Sequence, residues 1–129
     1  MKLLLDTHVW LWSLREPDRL SRRVRQALLA AENERWLSPV STWEALILHA
    51  KGRIRLYQDP AVWLLSAAAN MREAPLTHEI ALAAHLLSWS RSDPADRFLA
   101  ATAQVLGLTL VTADERLLAL REIATLANR

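Results

Sequence analysis

The chain contains no cysteine, so it has no disulfide framework, no thiolate zinc site and no cysteine nucleophile. That absence fits a reducing compartment, and the expectation is a cytoplasmic protein. No apolar run approaches the roughly 18 residues that cross a bilayer. Asp6 cuts the N-terminal apolar run before it could become the core of a signal peptide, so no membrane partner is expected. The four histidines, His8, His49, His78 and His85, form no HxxxH or HExxH pair, which leaves core or surface roles for each. Excess charge is scarce too. A formal net charge of +2 names no partner by itself.

A chain of 129 residues suffices for a single domain, 1–129, burying roughly two-thirds of its unfolded surface. Hydrophobic residues make up 52%, slightly above the usual range of about 45–50%, which hints at an apolar face kept for a partner. Removing Lys2 and Lys51 from the 16 basic residues leaves 14 arginines. The planar fork of arginine suits phosphates and base edges, although Arg22, Arg23 and Arg25 read equally well as the wet side of a helix. Residues 61–69 and 80–87 are apolar almost all round. Trp10 and Trp12 lie about 200° apart on a helix, so one core stripe cannot bury both. Either a small sheet buries these helices deeply or they are faces for a dimer or a second protein.

Residues 2–6 read as a short buried strand ended by Asp6. A helix follows over about residues 8–15 and stops near Pro17. Ser21 caps a helix from Arg22 to Ala31, with Val24, Leu28 and Ala31 on one face. Trp36-Leu37-Ser38 is a brief strand, and Ser41 opens the next helix in a Ser-x-x-Glu capping box that Gly52 ends. Asp59-Pro60 starts another helix, with proline at the first helical position. Pro75-Leu76 is extended, Thr77 caps a helix through about Trp89, and Asp93-Pro94 begins a long helix that Gly107 terminates. A strand at 108–112, a helical turn at 114–120 and an edge strand at 122–126 finish the pattern. Strands alternating with helices predict an α/β layer with a mostly parallel sheet.

Four acidic residues, Asp6, Glu44, Asp96 and Asp114, stand where these elements begin or end. In an open parallel sheet ligands bind outside the carboxyl ends of the strands, where Asp6 and Asp114 would project. Each also has a purely structural use. Asp6 suits a strand-end turn, Glu44 the capping box, Asp96 the dipole of a helix capped by Asp93, and Asp114 an N-cap. Asp93 and Asp96 stand three apart, hence on one helix face. If the fold gathers such groups, unit charges about 4 Å apart repel by roughly 4 kcal/mol per pair at an effective dielectric of about 20. Bound Mg²⁺ or Mn²⁺ relieves that conflict, because these ions take oxygen ligands and keep waters and substrate phosphates in the remaining positions.

At these residues the chain resembles the PIN-domain ribonucleases, specifically the toxin half of VapBC-type toxin–antitoxin pairs. The markers are Leu5-Asp6-Thr7-His8-Val9-Trp10-Leu11-Trp12, Ser41-Thr42-Trp43-Glu44, Asp93-Pro94-Ala95-Asp96-Arg97 leading into Ala100-Ala101-Thr102-Ala103, and Leu110-Val111-Thr112-Ala113-Asp114. None is specific alone; four in order within a chain of this size are. The resemblance implies a three-layer α/β/α fold on a sheet of about four or five strands. It also implies hydrolysis of RNA phosphodiesters dependent on Mg²⁺ or Mn²⁺. It maps the catalytic site onto Asp6, Glu44, Asp96 and Asp114, with Asp6, Asp96 and Asp114 holding the metal and Glu44 completing the shell or orienting water. Asp93, Thr112 and Thr7 are further candidates. A homodimer and a small antitoxin that inserts a segment into the active-site groove are implied as partners.

Two positions depart from the relatives: Arg91 stands where many carry histidine, and Leu48 where many carry lysine. Neither removes an expected ligand. Arg97 is expected to clamp Asp6 or a neighbouring carboxylate rather than touch RNA. Lys51, Arg53 and Arg55 follow the Glu44 helix and are candidate RNA contacts, against a solvated loop as the plain reading. The alternative to a nuclease is a catalytically silent PIN-like module that binds a protein. A DNA-directed or repair-type nuclease shares the acidic site, but 129 residues leave no room for a helical arch or DNA-clamping insertion.

Overall fold

A computed structural model describes residues 1–90 and 93–129; Arg91 lies outside the described residues. The strands are β1 (Lys2–Leu5), β2 (Glu34–Leu37), β3 (Arg72–Glu73), β4 (Thr109–Thr112) and β5 (Ala124–Ala127). They form one sheet in the order β3-β2-β1-β4-β5, and every pairing is parallel. The chain builds outward from β1 through β2 to β3, then returns to place β4 on the other side of β1. That reversal is the topological switch point, where a crevice opens beyond the carboxyl ends of β1 and β4.

Side-chain alternation along β1 divides the interior into two cores. Leu3 and Leu5 pack with Val9 and Trp10 of α1 (Thr7–Arg15), Val24 and Leu28 of α2 (Arg22–Leu29), Ala45 of α3 (Pro39–Ala50) and Ala67 of α4 (Pro60–Ala67). Leu4 and Leu110 pack on the other face with Ile80 and Ala84 of α5 (His78–Leu86), Leu99, Ala100 and Ala103 of α6 (Pro94–Leu106) and Leu117 of α7 (Glu115–Leu118). Helices therefore cover both faces of the sheet, the three-layer arrangement expected. Trp10 is fully buried and its Nε1 donates to the Ala67 carbonyl at 3.1 Å, while Trp12 is half-buried with the Arg19 guanidinium over its ring. The two tryptophans thus part company, as their angular separation requires.

Two boundaries differ from the sequence reading in ways that matter. The N-cap of α3 is Ser38, whose hydroxyl accepts from the Val40 amide, and proline follows at the first helical position. Ser41 lies inside the helix with its Oγ buried and without a partner among the described residues. The Ser-Pro start outcompetes the capping box because proline needs no hydrogen-bond partner there. Glu44 is thereby released from capping. Helix α5 stops at Leu86 rather than near Trp89. Its last carbonyls are met by Arg97, which donates to Ala84, His85, Leu87 and Trp89.

Candidate active site

Asp6 follows the last residue of β1 and is the N-cap of α1. Its two carboxylate oxygens are held separately. Oδ1 accepts from the Thr7 amide at 2.8 Å, and Oδ2 accepts from Thr112 Oγ1 at 2.7 Å. Thr112 is the last residue of β4 and fully buried, and its Oγ1 also accepts from the Asp114 amide at 3.0 Å. One hydroxyl therefore fixes both strand-end aspartates. On the other side, Thr7 Oγ1 donates to Glu44 Oε1 at 2.5 Å, bridging α1 to α3. Thr7 thus orients Asp6 through its amide and Glu44 through its hydroxyl.

Asp93 is the N-cap of α6, accepting from the Ala95 and Asp96 amides at 3.0 and 3.3 Å. Asp114 is the N-cap of α7. With Asp6 capping α1, the three helix N-termini at this site carry acidic caps, a placement their partial positive charge favours. The compensation is incomplete. Burial pushes the Asp6 carboxyl above its ordinary value, offset in part by the Thr112 and Thr7 hydrogen bonds. Burial likewise raises Glu44, with Asp6 and Asp93 adding repulsion. Asp96 is pushed up to about 6 by burial and then by Asp93, Asp6, Asp114 and Glu44. Each of the other four acidic groups is close enough to Asp96 to disfavour its charge. The candidates from four separate segments thus lie within electrostatic reach of Asp96.

A metal suits this donor set. It consists of carboxylate and hydroxyl oxygens, the ligands of hard divalent cations, and its own repulsion is what a cation would cancel. Among the described residues, no three carboxylates or imidazoles converge closely enough to grip one ion directly. Asp6, Asp96 and Asp114 are the carboxylates that could hold such an ion, through water where they do not reach it directly.

A family profile for the PIN domain matches residues 3–124. The chain belongs to the PIN-domain family. Ribonuclease VapC22 of Mycobacterium tuberculosis is 39% identical over 116 residues, which cover 89% of this chain and 88% of that one. Among solved structures, the VapBC2 complex of Rickettsia felis bound to a promoter DNA fragment superposes with a TM-score of 0.73 at 16% identity. A toxin–antitoxin complex from Klebsiella pneumoniae superposes with a TM-score of 0.72 at 18% identity. In both, the match covers 98% of each chain, and at these identities the likeness is one of fold.

In this PIN domain the sequence reading missed Arg116. Its Nε and Nη2 each lie 3.2 Å from an Asp114 oxygen, so an exposed guanidinium already occupies one wall of the site. The signal was present: an arginine two residues after an acidic N-cap reaches back over the first turn. Arg97, by contrast, turns its guanidinium toward the carbonyls at and just after the end of α5 and caps that helix. Of the three basic residues after α3, Arg53 and Arg55 line a groove that begins at His8, while exposed Lys51 caps α3 outside that lining.

Proposed function

We propose that this PIN domain is an Mg²⁺- or Mn²⁺-dependent endoribonuclease, the toxin component of a toxin–antitoxin pair. The observation that carries the reading is the mutual charging of Asp6, Glu44, Asp93, Asp96 and Asp114 at the switch point of the sheet. The similarity to a protein named as a ribonuclease supports the substrate. Bound there, the metal would lower the pKa of a water and neutralise charge developing on the phosphoryl oxygens. Asp6, Asp96 and Asp114 would hold that ion, with the Thr112 hydroxyl fixing one oxygen of Asp6. Glu44, fixed by Thr7, orients the attacking water and takes its proton. Water would attack phosphorus and the bond to the 3′ oxygen would break, that oxygen taking a proton from solvent, leaving 5′-phosphate and 3′-hydroxyl ends.

Partner surfaces are available for the rest of this reading. On α5, Leu82 and Leu86 are 59% and 67% exposed, an apolar stripe suited to pairing with a second copy. Trp43 of α3 is 65% exposed beside an apolar groove of about 530 Å³ between α3 and α4, suited to an antitoxin segment. Among the described residues no helix is long and apolar enough to cross a membrane.

The test is cleavage of a mixed RNA pool by antitoxin-free protein with Mg²⁺ or Mn²⁺, beside Asp96→Asn and an EDTA control. Cleavage lost in both controls, with 5′-phosphate products, supports the proposal. Cyclic phosphate ends would reject the mechanism, and a folded, metal-loaded protein that cuts no RNA would favour a silent binding module.

A further inference from the structure

The groove that begins at His8 runs between α1 and the C-terminal end of α3, with a volume of about 900 Å³. Its lining starts beside the acidic centre, at His8 on α1 and Leu48 on α3. His8 stands two positions after Asp6 and close enough to ease the charge of both Asp6 and Glu44. Leu48, which lines the groove, is one turn beyond Glu44 on α3. Four arginines line it, Arg15, Arg19, Arg53 and Arg55, against the single carboxylate of Glu16, which pairs with Arg19 at 3.6 Å. Its floor holds a row of planar groups. The Arg19 guanidinium sits 4.6 Å from the Trp12 ring centroid, and the His8 ring lies 5.9 Å from Trp12 at a 31° tilt.

We propose that this groove is the track along which single-stranded RNA enters the site, with Trp12 and its two planar neighbours forming a stacking platform for bases and Arg15, Arg53 and Arg55 holding the backbone. This rests on the ribonuclease reading and adds where the strand lies. Two features select a single strand of nucleic acid. Guanidinium, indole and imidazole planes accept bases only where those bases are unstacked, as in single strands. The lining residues His8 and Leu48 stand two positions from Asp6 and one helical turn from Glu44, so the groove leads toward carboxylates. An acidic peptide entering there would meet like charge, whereas a phosphate would share a divalent cation with them. Chain and charge therefore alternate in the order a strand needs: cationic track first, acidic centre at the cut.

The experiment measures binding, so that it stands apart from turnover. A short fluorescent single-stranded RNA of mixed sequence is titrated with metal-free protein over a range of salt, beside the same sequence as a duplex. For the Arg53→Ala/Arg55→Ala variant the expected result is a loss of affinity common to all sequences and a shallower salt dependence, by about one unit of slope per phosphate contact. For Trp12→Leu a loss of about tenfold is expected with the salt slope unchanged, from the stacking of one base. Because Trp12 also touches the core, 4-thiouridine crosslinking of the unaltered protein serves as the second measurement, with adducts expected on residues 8–19 and 53–55. Adducts elsewhere, or unchanged affinity in both variants, would overturn the groove while leaving metal-dependent cleavage of RNA intact. Tight binding of an acidic peptide with no binding of RNA would overturn the groove's occupant. Absence of both RNA binding and RNA cleavage would remove the ribonuclease reading itself.

Discussion

Thr7 and Thr112 each serve two acidic residues, and their value is geometric rather than chemical. Replacing Thr7 by valine preserves shape but leaves Glu44 without its 2.5 Å donor. RNA cleavage should then fall by about 10- to 100-fold, the usual cost of losing an outer partner of a metal site, with the melting temperature little changed. Asp96 has the opposite signature. Its pKa is raised from 3.8 to about 6 on folding, so between those values the folded chain binds more protons than the unfolded one. The metal-free protein should therefore lose stability as pH rises across that window. Thermal melts at stepped pH should show the decline, and Asp96→Asn or added Mn²⁺ should flatten it. The same titration sets activity: at limiting metal, cleavage should fall as pH drops below about 6, and more metal should restore it. A metal-free melting temperature that climbed between pH 4 and 6 would contradict this account of the cluster.

At the level of elements, helix ends decide the site, and they were also what the sequence revealed least evenly. Asp59-Pro60 and Asp93-Pro94 announced α4 and α6 correctly, since an acidic cap followed by proline has one good use. Ser38-Pro39 carries the same signal, yet Ser41 and Glu44 matched a capping box and drew the helix start three residues too late. The parallel sheet was legible because β1 and β4 are continuous apolar runs; β3, two exposed residues at the edge, has no such pattern. Asp6, Asp96 and Asp114 stand at element ends as the sequence places them, whereas Glu44 lies inside α3, and its bond to Thr7 and the place of Arg116 depend on which helices meet. Arg97 belongs to this scale as well. Its fan of bonds to the carbonyls of Ala84, Leu87 and Trp89 ties α6 to the end of α5. Arg97→Ala should cost about 1.5–3 kcal/mol in urea unfolding, the range for a charged hydrogen-bonding group. Lysine, a point charge without the fork, should recover only part of it.

Over the whole molecule the two cores lean on β1, and the deepest single anchor is Trp10. Truncating Trp10 to alanine should destabilise the domain by about 3–5 kcal/mol, since it removes a buried indole and strands the Ala67 carbonyl it serves. The exposed stripe on α5 makes a different kind of prediction. Leu86→Arg should convert a pair of chains to single chains in light scattering without changing the unfolding midpoint of the isolated domain, because Leu86 is already 67% exposed. Sheet order has a consequence in time as well as in space. Thr112 and Asp6 touch across 106 positions of sequence, so the first aspartate emerges from the ribosome long before the hydroxyl that aims it. A polypeptide that ended before β4 would leave β1 as a sheet edge and carry Asp6 and Glu44 with neither Thr112 nor Asp114 to complete the centre. The order of synthesis thus leaves the acidic centre incomplete until β4 and the turn after it have been made.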